Sequence, residues 1–325
     1  MSFKLRSRGL GFLEHFILRR IMLSLSTALR SEICGSGEEI IREILSYGVQ
    51  AVELEYRITE SMLREIFPFI KKRDILVSSI HNIMPLPDGM SRETANGEFV
   101  SLSSPDRSER EMAVKYTQQT LAWAEETGAQ AVVLHLGRVG MDSPMRKLMN
   151  FYDQEKIGTN EGRAFLTEKM ELRSKEGEKN LTAALQSLEK LAPEAERRRL
   201  FLGIENRYNM QDFPNVEEFK RIFKKFEGSP VRYWHDLGHA TTQENLGMVA
   251  HGELLDLFGR HLVGVHLHGC RGYKDHKAPG TGEEDYSQLK KFLRADTIRV
   301  VETHHRATRE ELGKGLEFLR DQGIR

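Results

Sequence analysis

The chain has 325 residues, 39% of them hydrophobic and 30% charged, with 48 basic side chains set against 48 acidic ones. This is the composition of an ordinary globular protein with enough apolar material for a sizeable core, and its zero formal charge excludes an overall basic field for nucleic acid or an anionic membrane. No apolar run approaches the roughly 20 residues of a membrane-spanning helix, and the two cysteines, Cys34 and Cys270, form neither a disulfide framework nor a C-x-x-C pair. That usage suits a cytoplasmic protein, with both cysteines as packing residues.

The first segment, MSFKLRSRGLGFLEHFILRR, is basic with a short apolar centre that Glu14 and His15 interrupt, and no small-residue cleavage site follows. Residues 1–21 are therefore expected to be an extension outside the fold, with Met22 as an alternative start. From there one theme repeats: an apolar β-type run, then a charged amphipathic stretch. The runs are IMLSLS at 21–26, VQAVELE at 49–55, ILVSSIH at 75–81, AQAVVLH at 129–135, LFLGIE at 200–205, VRYWHD at 231–236, LVGVHLH at 262–268 and TIRVVE at 297–302.

The helical stretches carry their own punctuation. GEEIIREILSYG places Ile40, Ile41, Ile44 and Leu45 on one face and stops at Gly48, suited to the left-handed position after a helix. SSPDRSEREMAVKYTQQTLAWAEETGA stops at Gly128, and NVEEFKRIFKKFEG and TREELGKGLEFLRDQG repeat the arrangement. The long interval between the fourth and fifth runs is mostly helix-forming and reads as one long helix with an excursion before it. Eight β-then-α units with nearly continuous hydrophobic strands predict a parallel sheet closed as a barrel. No Gly/Ser-rich or Pro-rich linker divides the chain, so the expectation is an α/β fold, a single-domain (β/α)8 TIM barrel over residues 22–325.

Nine of the twelve histidines fall at or just beyond the C-terminal ends of these runs: His81, His135, His235, His239, His266, His268, His276, His304 and His305. Barrel active sites form at those ends, which also carry Glu205, Asp236 and Glu302. Each residue has an ordinary reading. Glu302 can pair with an arginine, Asp236 and His239 can be a helix cap and a surface imidazole, and His81 or His135 can be a hydrogen-bonded core histidine. His266 and His268 share a strand face, so one can be a ligand and the other its support. Three acids and at least four imidazoles in one barrel mouth need compensation, because converging carboxylates repel and buried charges are costly unless paired or metal-bound. A divalent metal ion answers both problems.

With ENR at 205–207, HDLGH at 235–239, HLH at 266–268 followed by DHKAPGTGEEDY, and VVETHH at 300–305, the chain resembles the xylose isomerase-like TIM barrel superfamily. That group contains sugar isomerases, sugar and sugar-phosphate epimerases, inosose dehydratases and endonuclease IV-type repair enzymes. The resemblance implies one divalent metal ion (Mn, Mg, Co or Zn) held by Glu205, Asp236, His266 and Glu302. It further implies Glu205 and Glu302 as the catalytic pair that removes and returns a proton through an enediolate. His81, His135, His239, Arg207, Arg271 and His276 are the expected substrate-binding residues, with a small sugar, polyol or sugar phosphate as partner. Arg138 and Lys274 stand near the same mouth. A dehydratase fits the same constellation, as does a barrel that binds metal and a sugar-like ligand without turnover. Barrels of this group often pair as homodimers, though no part of the sequence marks an interface.

The rival within the superfamily is an endonuclease IV-like phosphodiester hydrolase with up to three Zn ions. His81, His135 and His276 match its additional ligand positions. Three departures count against it: Lys274 replaces the carboxylate two residues before the loop histidine, with Asp275 one place along; His268-Gly269 replaces Asn-Asp; and HNIMPLP replaces the DNA-penetrating aromatic loop after His81. The basic runs at 197–199 and 224–225 precede strands five and six and so face the other end of the barrel. The sequence thus points away from nucleic acid as a partner.

Overall fold

The computed structural model describes residues 23–325, so the expected extension at 1–21 and the alternative start at Met22 lie outside the described residues. Each of the eight apolar runs forms a strand: β1 (Leu23–Ser26), β2 (Ala51–Leu54), β3 (Leu76–His81), β4 (Ala131–Leu134), β5 (Phe201–Glu205), β6 (Val231–Asp236), β7 (Leu262–Leu267) and, after a hairpin, β10 (Ile298–Val301). They close into a parallel ring in the order β1-β10-β7-β6-β5-β4-β3-β2. Most strands are shorter than the apolar runs by a residue or two at their ends. Some of those end residues still bond a neighbouring strand, as Gln50 does to Leu76 and Glu302 to Leu267.

Helices cover the ring, and their ends follow local chemistry. The first, α1 (Gly37–Ser46), is capped by the Ser36 hydroxyl, and α2 (Glu60–Lys72) by Thr59. The third, α3 (Arg107–Thr127), is capped by Asp106 and stops at Gly128, whose φ of 76° is left-handed. The interval after β4 holds α4 (Met145–Asp153) and then the 39-residue α5 (Asn160–Arg198), an excursion followed by one long helix. After β5 come α6 (Val216–Lys225), α7 (Leu237–Asn245), α8 (Glu253–Phe258), α9 (Tyr286–Lys290) and α10 (Arg309–Asp321). Asn215 with Glu218 and Thr308 with Glu311 form capping boxes at α6 and α10. Among the described residues no helix is long and apolar enough to cross a membrane.

A large apolar cluster fills the space between ring and helices, whereas Ala131, Val133, Phe201, Trp234, Val263, Ile298 and Val300 form a separate cluster. Trp234 is fully buried, and a Cβ on Gly264 would stand 2.2 Å from its Cζ3 atom. Glycine at 264 is what admits the indole. Period-two alternation then carries the same strand faces upward, from Trp234 to Asp236 and from Gly264 to His266. Register places Asp236 level with His266 and Val301 level with Leu267, so the acid after β10 emerges just above the β7 histidine.

One segment departs from the expected loop. Residues 269–277 form an antiparallel hairpin, β8 (Gly269–Arg271) with β9 (Lys274–Lys277). Gly272, with a φ of 63°, lies in the turn between them.

Candidate metal centre

Glu205 ends β5, Asp236 ends β6, His266 lies one residue before the end of β7, and Glu302 follows β10. All four are buried. Their ligand atoms lie within 4.8 Å of one another, with His266 Nδ1 at the centre: 3.1 Å from Glu302 Oε2, 3.4 Å from Glu205 Oε1 and 3.5 Å from Asp236 Oδ2. Three buried carboxylates around one imidazole nitrogen are a costly arrangement unless a cation compensates them. The donor set, oxygen-rich with one imidazole, fits a divalent ion such as Mn²⁺, Mg²⁺, Co²⁺ or Zn²⁺.

Supporting contacts orient these groups. His266 Nε2 donates to Glu53 Oε1 at 3.0 Å, and Ser79 Oγ donates to Glu53 Oε2 at 2.7 Å. With Nε2–H committed to Glu53, Nδ1 is the nitrogen turned to the carboxylates, where a cation would take the place of its proton. Asp236 serves two purposes, because Oδ1 caps α7 by accepting from His239 N at 2.6 Å while Oδ2 faces the centre. His268 Nδ1 accepts from the His276 backbone N–H at 2.9 Å, so its Nε2 donates to Asp236 Oδ2 at 3.0 Å. His266 therefore faces the carboxylates directly, while His268 orients Asp236.

Asn206 ties the two neighbouring strand tips together, bonding both the backbone N–H and the carbonyl of Asp236. His235 turns away from the centre: its Nδ1 meets the Tyr233 hydroxyl at 2.8 Å, and burial pushes its pKa down to about 4.

Electrostatics follow from this crowding. Burial alone would raise the Glu205 carboxyl, but the imidazoles of His135, His239 and His266 against it hold it well below the usual range, while burial keeps His135 itself toward its neutral form. Burial likewise opposes charge on His266, and Glu302 and Glu53 overcome it. His276 is lifted against burial to about 10 by Asp275 and Glu302.

Two further groups of ligand atoms stand beside the central four: His81, His135 and Glu205, and Asp236, His239, His268 and His276. His81 Nδ1 faces the Asn82 carbonyl at 3.0 Å, which leaves a lone pair on Nε2. That nitrogen is 3.1 Å from His135 Nε2 and 3.4 Å from Glu205 Oε2. His239 Nδ1 faces the Asn206 carbonyl at 3.1 Å, and its Nε2 and Asp275 Oδ2, 3.6 Å apart, are both buried without a hydrogen-bond partner. In each case lone pairs converge where a cation fits.

A cavity of about 740 Å³ opens over the centre, lined by His81, His135, Arg207, His239, His276 and Glu302 among others. Five of the six expected substrate-binding residues thus share one wall system. Arg271 does not line that cavity. It is exposed, donates to the Thr281 carbonyl, and lines an adjoining groove with Lys274, Lys277 and Arg306.

Three carboxylates of the site escaped the sequence reading of the central ligands. Glu53 carried a usable signal, an acid inside the apolar run VQAVELE. Glu98 lies in the polar loop before α3, and Asp275 is brought to His239 and His276 by the hairpin.

A profile of the family described as xylose isomerase-like TIM barrel matches residues 41–322. Among solved structures, a D-tagatose 3-epimerase-like protein is 18% identical, covering 93% of this chain and 97% of its own, with a TM-score of 0.64. The 3-keto-D-glucoside 4-epimerase YcjR from E. coli is 17% identical over 93% of this chain and 100% of its own, again at 0.64. D-allulose 3-epimerase from Methylomonas sp., in complex with D-allulose, is 13% identical over 94% and 98%, at 0.63. No curated protein matches the sequence. At such identities the likeness to solved structures concerns the fold, while the profile covers most of the chain: the protein belongs to the xylose isomerase-like TIM barrel family.

Proposed function

We propose that the protein is a divalent-metal-dependent isomerase or epimerase of a small sugar, polyol or sugar phosphate, working by proton transfer through an enediolate. The observation that carries this reading is the meeting of Glu205 and Glu302 at His266 Nδ1 from strands three places apart around the ring. Two carboxylates so placed flank the space above the centre, one able to take a proton from a carbon and the other to return it. Glu205, Asp236, His266 and Glu302 would hold the ion, which supplies a Lewis acid that polarises a carbonyl and acidifies the neighbouring C–H.

The remaining side chains shape the reaction. Arg207 keeps its charge against burial because Glu205, Asp212 and Glu98 surround it. It is placed to bind an oxygen that gains negative charge. Tyr56 and Tyr208 line the same cavity, offering faces to a sugar ring. Sugars named for the solved relatives, tagatose and allulose, are of the class proposed.

The test is solvent exchange. Metal-loaded protein incubated with a sugar panel in deuterated water should place deuterium beside a carbonyl, and Glu302→Gln should abolish that exchange. A blank panel, or full activity in Glu302→Gln, contradicts the proposal.

A second reading, zinc-dependent phosphodiester hydrolysis of the endonuclease IV type, is favoured by the two flanking ligand groups. Asp275 bears on it directly, since it occupies the neighbourhood of His239 and His276 despite Lys274 at the family's carboxylate position. About three zinc ions per chain with nicking of abasic duplex would favour hydrolysis. One exchangeable Mn²⁺, Mg²⁺ or Co²⁺ favours the isomerase.

A further inference from the structure

The cavity above the metal centre extends beyond what a single sugar ring needs. A pyranose of twelve heavy atoms, generously allotted a liquid water's share of ~30 Å³ per atom, would fill about half of its 740 Å³. A continuous line of polar side chains marks its length: Glu205 Oε2 meets His135 Nε2 at 2.7 Å, His135 Nδ1 faces Glu98 Oε1 at 3.9 Å, and Glu98 Oε2 meets Arg138 Nε at 2.6 Å. Beyond Arg138, its carbonyl accepts from Asn180 Nδ2 at 3.0 Å.

Along that line stands an acceptor with no donor. Asn180 Oδ1 is buried and unpartnered, and the residue lines the cavity. Asn180 is 1% exposed. Its Nδ2 donates to the Ser103 and Arg138 carbonyls, which fixes the amide with Oδ1 on the other side. A buried acceptor left bare is costly, so this oxygen calls for a donor. A sugar hydroxyl group supplies one.

We propose that this arm of the cavity binds a second polyhydroxylated unit, so that the small sugar converted at the metal end, which keeps its own carbonyl, carries a second sugar unit as a reducing disaccharide or a keto-glycoside does. The unit at the metal end is the one converted, and in that respect the inference rests on the isomerase reading. The second unit lies against Ser104, Gly140 and Asn180, which come from the loop before α3, the loop after β4 and α5.

Gly140 allows a clean test, because an added Cβ meets nothing within 4 Å. Binding of maltose and cellobiose, and of glucose and fructose, is measured by calorimetry on the full chain loaded with Mg²⁺. At least one disaccharide is expected to bind about tenfold or more tighter than its component monosaccharides. Gly140→Phe should erase that preference while monosaccharide affinity and the circular dichroism spectrum stay unchanged. Asn180→Ala should reduce it in the same direction. Equal affinity for disaccharides and monosaccharides across the panel, or a preference that survives Gly140→Phe, overturns the inference. A disaccharide preference without deuterium exchange in any sugar would sustain the inference while removing the isomerase reading.

Discussion

At the level of single residues, the centre depends on groups that touch no ligand themselves. Glu53 faces His266 Nε2, so Nδ1 is aimed at the centre by a side chain from strand β2. Losing such a support typically costs about 10–100-fold in metal affinity. Glu53→Gln should weaken Mg²⁺ or Mn²⁺ binding within that range, with unchanged secondary structure, in a metal titration. Unaltered affinity would show that His266 is oriented by something else. Gly238 is the other case: a Cβ there would stand 2.1 Å from His268 Cε1, and His268 holds Asp236. Overpacking of this kind costs about 1–3 kcal/mol. Gly238→Ala should lower the urea midpoint accordingly and weaken metal binding together with it, whereas wild-type stability would mean that the imidazole moves aside freely.

Between elements, the clamp of α5 on the loop after β5 is the most consequential contact. Arg173, 2% exposed within α5, pairs with Glu218 of α6 and donates to the Met210 and Asp212 carbonyls of the loop that follows β5. That loop begins at the Glu205–Asn206 tip. Arg173→Met leaves Glu218 as an uncompensated buried carboxylate, a change worth about 3–5 kcal/mol, and chemical denaturation should register it. A loss below about 1 kcal/mol would place the pair among weak surface bridges.

Elements of this kind were legible in the sequence to differing degrees. The eight strands could be read because each is a largely apolar run that is mostly buried, and Gly48 and Gly128 announced helix ends through local conformation alone. HDLGH was legible because its acid caps a helix and faces the centre at once. The β8–β9 hairpin was not, because KDHK has no apolar alternation and is ordered by contacts such as the His276 N–H to His268 Nδ1. Glu98 was illegible for the same reason: its loop carries no periodicity, and its partners Arg138 and Arg207 lie far along the chain.

For the molecule as a whole, ring closure and parallel register bring four side chains remote in sequence to one point, and the resulting concentration of buried carboxylates makes folding and ion binding interdependent. An ion that binds only the folded chain stabilises it by about 2.7 kcal/mol at a hundredfold excess over Kd. Chelation followed by dialysis should therefore lower the melting temperature by several degrees, and adding back Mg²⁺ or Mn²⁺ should restore it. A melting curve indifferent to chelator would mean that the imidazoles alone neutralise the acids.

The most direct measurement is anomalous diffraction from crystals grown with Mn²⁺. A peak within coordination distance of Glu205, Asp236, His266 and Glu302 together is the predicted result. Density at that point without an anomalous signal, or a manganese ion bound only by other side chains, would contradict the assignment of these four residues as one metal centre.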